Sequence, residues 1–181
     1  MFRKLSMQEL DRKTADDVKQ ASKMPVVVIL DNVRSMHNVG SIFRTSDAFL
    51  IKSIYLCGFT PCPPHRDIHK TALGATDTVT WEYEPKILEL LDRLKNQGYK
   101  LFAVEQTIGS TLLDKYQWDS NPLALIFGNE VEGVQDEVLN KCDGCLEIPQ
   151  LGMKHSLNIA VATGMVLWEV FSQFRIRQAS H

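Results

Sequence analysis

Along the 181-residue chain, short unbroken apolar runs alternate with stretches in which apolar residues recur every three or four positions. The first pattern marks strands buried on both faces, the second amphipathic helices. Pro25-Val-Val-Val-Ile-Leu30 opens the series as a strand, and helical spacing follows from about Asn38 to Phe49. Further strands are predicted at Ser53 to Cys57, Thr78 to Glu82, Tyr99 to Val104, Leu123 to Phe127 and Gly144 to Ile148. Helices are predicted at Ile68 to Leu73, at Pro85 to Gln97 with Ile87, Leu88, Leu91 and Leu94 inward, and at Val134 to Lys141. The last helix is the longest. Ser156 is read as its N-cap, and Leu157, Ala160, Val161, Gly164, Val166, Leu167, Phe171 and Phe174 fill most of one side as far as Arg177.

Strands alternating with helices define an α/β domain whose mostly parallel sheet is flanked by helices. That domain is expected over residues 25–181, with residues 1–24 as a helical extension. Residues 6–22 read as a polar helix with a thin apolar edge of Met7, Leu10, Ala15, Val18 and Ala21, started by Ser6 and Glu9 at capping-box spacing. Such an edge suits packing on the domain or on a partner rather than independent folding.

The length suits one domain with a full core, and 44% hydrophobic and 23% charged residues exclude a disordered chain. A net charge of −2 means that any nucleic acid must meet a local basic patch. No run of 18 apolar residues marks a membrane span, and the N-terminus lacks an apolar signal core, so a reducing, cytoplasmic location is the expectation. Cys142-Asp-Gly-Cys145 has metal-knuckle spacing, with Cys57 and Cys62 as a potential second pair. The unequal spacings and the apolar neighbours of Cys57 and Cys145 instead favour plain buried thiols, and no metal is expected.

Ligands of open α/β sheets bind outside the carboxyl ends of strands. The unusual polar residues fall at three such ends: Asp31 to Arg44, Gly128 to Gly133, and Gln150 to Ser156. In the first, Gly40, Arg44 and Ala48 lie four apart on one helix face, which reads as an arginine flanked by small residues; the plain alternative pairs Arg44 with Asp47. In the second, two glycines bracket a polar turn. No G-x-G-x-x-G follows the first strand and no Walker lysine loop is present, which disfavours a dinucleotide or nucleoside triphosphate.

Taken together, the three segments resemble the three motifs of the SpoU (TrmH) family of RNA ribose 2′-O-methyltransferases, in the SPOUT class. The matching residues are Asn38, Gly40, Arg44 and Ala48; then Phe127, Gly128, Asn129, Glu130 and Gly133; then Ile148, Pro149, Ser156, Leu157, Asn158 and Ala162. The resemblance implies a deep trefoil knot at about residues 123–164, although knots are close to absent from proteins at large. It also implies S-adenosylmethionine as cofactor, held by Phe127, Gly128, Asn129, Gly133, Ile148 and Leu157, and a homodimer whose site draws on both subunits.

Arg44, Asn38, Glu130, Ser156 and Asn158 would then carry the catalytic roles. His37, Lys52, Arg66, His69, Lys70 and Lys154 are candidates for RNA contacts. Gln150 stands where many members have methionine, and no separate RNA-binding domain is expected in the short stretch before the first strand. The rival readings are a non-catalytic RNA-binding or ribosome-assembly protein on the same fold, and a methyltransferase acting on a base nitrogen. The intact arginine and cofactor-loop residues argue against the first, the Asn38 and Arg44 pair against the second.

Overall fold

The computed structural model describes residues 2–6, 9–10, 13–153 and 156–178. It contains helix α1 (Ala15–Gln20), strand β1 (Met24–Asp31), α2 (Met36–Ala48), β2 (Ile51–Cys57), α3 (Arg66–Ala72), β3 (Trp81–Glu84) and α4 (Ile87–Asn96). These are followed by β4 (Lys100–Val104), the two-residue β5 (Thr111–Leu112), β6 (Leu123–Phe127), α5 (Asp136–Leu139), β7 (Gly144–Glu147) and α6 (Ile159–Gln178). The sheet runs β3-β2-β1-β6-β4-β7-β5 and every pairing is parallel. All strand carboxyl ends therefore share one edge.

The twofold alternation of strand side chains builds two cores from one run. Val26, Val28 and Leu30 of β1 join Leu125, α2, α3 and α6 on one face. Val27 and Ile29 join Ile126, Leu90, Leu91 and Leu94 of α4 and Val138 of α5 on the other. Mean hydropathy and length alone would let α6 cross a bilayer. Here one face of it packs on the core, with Val166, Leu167 and Val170 fully buried.

Three expectations about elements change. The helix over residues 6–22 is confined to α1, which buries none of its side chains; Met7 lies outside the described residues. Ser6 and Glu9 do exchange their capping bonds, yet residues 9–10 are a turn. Thr14 and Asp17 form a second capping box that starts the helix later. A short helix with no packed face has little to hold it beyond its cap. The strand expected from Thr78 starts instead at Trp81, because the Thr78 N–H donates to the Ala75 carbonyl and closes a 3-10 turn at Ala75–Asp77, while its hydroxyl donates to Asp47 (2.5 Å). The narrow edge strand β5 carried no apolar run long enough to be foreseen.

Gly40 is the tightest contact in the helical layer. A Cβ there would lie 2.2 Å from Thr71 Oγ1 and 2.3 Å from the Ile68 carbonyl, so α2 and α3 touch backbone to backbone. Gly164 of α6 has nothing within 4 Å of the same position. Gly40→Ala is expected to lower unfolding stability by about 1–3 kcal/mol through overpacking. Gly164→Ala is expected to be neutral or to stabilise by up to about 1 kcal/mol. Denaturant unfolding of both variants checks the pair.

Candidate active site

The carboxyl edge of the sheet holds a cavity of about 570 Å³. Its walls come from Val104 to Thr107 after β4, Phe127 to Val134 after β6, and Ile148, Gln150, Ser156 and Leu157 between β7 and α6. The second and third loops predicted from sequence therefore meet in one cavity, and Phe127, Gly128, Asn129, Gly133, Ile148 and Leu157 all line it.

The turn after β6 is closed from within. The buried Asn129 side chain accepts from the N–H groups of Val131 (2.9 Å) and Glu132 (2.8 Å), and the Asn129 backbone carbonyl accepts from the Gly133 N–H (3.0 Å). A Cβ on Gly128 would lie 2.1 Å from the Gly133 backbone, so only glycine lets the two ends of the turn meet. Gly133 has φ +68 and sits against Glu105, whose Oε2 would be 2.2 Å from an added Cβ. Glu105 itself accepts from the N–H groups of Gln106 (2.9 Å) and Val134 (3.1 Å), joining the loops after β4 and β6. The sequence reading missed Glu105, Gln106 and Thr107. Their position just beyond the strand Tyr99 to Val104 was the available signal.

The first loop lends no residue to the cavity lining and is tied to it through one side chain. Asn38, three residues past the Ser35 N-cap of α2, donates from Nδ2 to Glu130 Oε1 (3.1 Å). Its Oδ1 accepts from Asn158 Nδ2 (3.1 Å). Asn158 Oδ1 in turn accepts from the N–H groups of Ala160 (2.9 Å) and Val161 (3.4 Å) at the start of α6. Asn158, not Ser156, is therefore the cap of this helix. Ser156 stands exposed two residues earlier, on the wall of the cavity.

Arg44 lies on α2, exposed, outside the lining of the cavity. Asp47 is engaged by Thr78 instead of by Arg44. Among the described residues Arg44 has no hydrogen bond or ion pair. Gly40 serves α3 rather than an approach to Arg44, which corrects the reading of two small residues flanking the guanidinium.

The candidate RNA contacts separate. His37, Arg66, His69 and Lys70 are exposed on the neighbouring helices α2 and α3, where Thr71 Oγ1 donates to the His37 carbonyl (3.0 Å). Lys70 pairs with Asp67 (2.8 Å), whose carboxyl pKa is lowered chiefly by that bond. Lys52 is at the amino end of β2, five residues and about 16 Å of strand from the carboxyl edge. It donates to the Tyr99 hydroxyl (2.7 Å), so the structure does not bring it to the site. Lys154 lies outside the described residues.

The cysteines are free thiols, and among the described residues no three His, Cys, Asp or Glu side chains gather as a metal site. Burial pushes the Cys142 thiol up to about 11 and raises Cys145, and their Sγ atoms contact the carbonyls of Val138 and Glu105.

An all-parallel sheet with a nucleotide-sized cavity outside its carboxyl ends, and no phosphate-binding glycine fingerprint, defines a class of α/β proteins distinct from the dinucleotide-binding folds. Residues 25–168 match the model of the SpoU rRNA Methylase family, and the chain belongs to that family. It is 31% identical over 166 residues to the tRNA (guanosine(18)-2'-O)-methyltransferase of Thermus thermophilus, covering 91% of this chain and 84% of that protein. Against the 23S rRNA (guanosine-2'-O-)-methyltransferase RlmB of Vibrio parahaemolyticus the identity is 29%, over 91% of this chain and 66% of the relative. The chain thus spans just under two thirds of the Vibrio protein. The AdoMet-bound rRNA methyltransferase from Sinorhizobium meliloti has the same fold, with a TM-score of 0.76 at 29% identity, covering 86% of this chain and 58% of that one.

Asn158→Ala is expected to lower unfolding stability by about 1 kcal/mol through loss of the cap on α6. Asn158→Asp, which still accepts from both N–H groups and suits the helix dipole, is expected to restore most of it. Thermal unfolding of both variants measures the difference, and an alanine variant as stable as the parent would remove the cap assignment.

Proposed function

We propose that this chain transfers the methyl group of S-adenosylmethionine to a ribose 2′-hydroxyl of tRNA or rRNA, acting as a homodimer. The observation that carries the reading is the joining of all three family motifs by the Glu130–Asn38–Asn158 hydrogen bonds at the edge of one cavity. The named relatives act on both classes of RNA, which supports the proposal at that level.

The cavity fits the cofactor on its own chemistry. About 570 Å³ is within the usual range for a ligand of that size. Gly128 and Gly133 leave backbone bare along one wall, and Glu105, Glu130, Glu132 and Asp136 give the lining an acidic character that suits a cationic sulfonium. Phe127, Gly128, Asn129, Gly133, Ile148 and Leu157 would hold the nucleoside. When bound, S-adenosylmethionine supplies an electrophilic methyl group.

A ribose hydroxyl is a weak nucleophile, and the chain's part is to orient it and stabilise the charge that develops on its oxygen. Arg44 takes that role, since a guanidinium stays protonated and is no free base. Asn38 and Ser156 position the ribose, and Glu130 and Asn158 hold Asn38 and the cofactor loop in place. His37, on the same helix as Arg44, would contact an RNA phosphate.

The second subunit has a chemical purpose. Arg44 lies outside its own chain's cavity, which supports a site that it completes in the partner's cavity. The outer face of α6 supports pairing: Trp168 is 55% exposed and stacks with Phe49 and Phe171, beside exposed Val161 and Met165. Leu167, fully buried, and Phe174, packed on Trp118, belong to the core side of the same helix. A knot over residues 123–164, within a domain of residues 25–181, is part of the same proposal. It is supported by β6 and β7 each entering between two strands formed earlier in the chain. The free cysteines suit a reducing, cytoplasmic setting.

Light scattering is expected to give twice the 20.5 kDa chain mass at micromolar concentration, and a monomer would contradict the shared site. Arg44→Ala is expected to keep cofactor affinity by calorimetry while turnover falls roughly 10²-fold or more, and Arg44→Lys is expected not to rescue it. Mixing Arg44→Ala with a cavity variant such as Gly128→Val is expected to restore activity, because one heterodimer site then has an intact arginine facing an intact cavity. Near-normal turnover in Arg44→Ala would return Arg44 to the surface.

A further inference from the structure

The loop between β2 and α3 presents a largely exposed aromatic ring. Phe59 is 60% exposed, and the Arg34 guanidinium lies 5.7 Å from its ring centroid. Among the described residues that contact is the one Arg34 has, with no hydrogen bond or ion pair.

The loop carrying Phe59 is fixed in place. Asn32, in the left-handed region at φ 55, accepts from the Phe59 N–H at 3.2 Å. Gly58, at φ +61, packs so closely on Asn32 that a Cβ would sit 2.0 Å from Oδ1. Below the ring, the buried Thr60 hydroxyl donates to the Leu30 carbonyl (2.9 Å) and accepts from the Val33 N–H (3.0 Å). Residues Asn32 and Phe59 follow the carboxyl ends of β1 and β2, so the ring stands on the same edge of the sheet as the cavity. Just beyond it, α3 exposes Arg66, His69 and Lys70, and Asp67, the acid among them, is held by Lys70.

A ring held out into solvent by a rigid, double-tethered loop, with an unpaired guanidinium beside it and basic side chains following, has the elements of a stacking platform for single-stranded nucleic acid. Bases stack on the ring, and the cations meet the backbone phosphates. We propose that Phe59, outside the three family motifs, and Arg34 form a binding subsite for an unstacked nucleobase of the RNA substrate. The inference rests on the RNA methyltransferase reading and adds to it how a chain of net charge −2 grips RNA.

The test uses the 181-residue chain in its solution assembly, a fluorescein-labelled 12-nucleotide single-stranded RNA of mixed sequence, and an abasic ribose-phosphate strand of equal length, read by anisotropy. Phe59→Ala is expected to weaken binding of the mixed-sequence strand roughly 5- to 150-fold. Phe59→Trp is expected to hold or strengthen it, and the abasic strand is expected to bind parent and Phe59→Ala alike. Arg34→Ala is expected to reduce the salt slope by about 1. Cofactor binding by calorimetry and mass by light scattering are expected to stay unchanged in all three variants. Equal binding of the mixed-sequence strand by parent and Phe59→Ala overturns the subsite while leaving the transferase reading standing. A change of mass in Phe59→Ala overturns it in favour of a contact between copies. A parent protein that binds neither strand overturns it too, and calorimetry with S-adenosylmethionine then reports separately on the transferase reading.

Discussion

One side-chain amide holds the functional edge of this molecule together. Asn38 uses its donor on Glu130 and its acceptor on Asn158, and so ties the loop after β1 to the loop after β6 and to the start of α6. Each such bond is worth about 1 kcal/mol net, and less where water competes. Two of them cannot hold a fold whose core buries β1 and β6 almost completely. Their effect is positional: the loop after β1, which does not line the cavity, is held in register with the loop after β6 and the segment before α6, which do.

A second set of constraints shapes that cavity from below. The Glu105 carboxylate accepts from two backbone N–H groups in different loops, and bonds of that charged kind reach about 1.5–3 kcal/mol each. Gly133 is required beside it by both conformation and space, and Gly128 by the closure of the turn. The glycines of the second motif thus serve the turn's own geometry as well as bare backbone for a ligand. Gly40 in the first motif is different, since its missing side chain lets α3 approach α2. That contact fixes the helix carrying both Asn38 and Arg44, so packing and chemistry share one element.

Much of this was legible in the sequence because its signals were local. The β-branched run at Val26 to Leu30 and the spacing of Ile87, Leu88, Leu91 and Leu94 each specify an element by period alone, and β1 and α4 fall there. What was not legible depended on contacts distant in sequence. Ser156 had the composition of a cap, but Asn158 caps α6 with one end of its amide and reaches Asn38 with the other. Glu105 reads as an ordinary strand-end acid until the Val134 N–H is brought to it from 29 residues away. Lys52 shared the charge of the other candidates, and only the direction of β2 puts it at the far end of the sheet. The polar stretch at residues 6–22 had good caps and no packing partner, and caps alone sustained one short helix.

The central claim is that these three loops together methylate ribose. It is tested most directly by incubating the protein with methyl-labelled S-adenosylmethionine and total RNA, then digesting to nucleosides after alkaline hydrolysis. The account predicts label in alkali-resistant dinucleotides that resolve to 2′-O-methyl nucleosides. Label on a base, or RNA left unlabelled by a dimer that binds the cofactor, would contradict it.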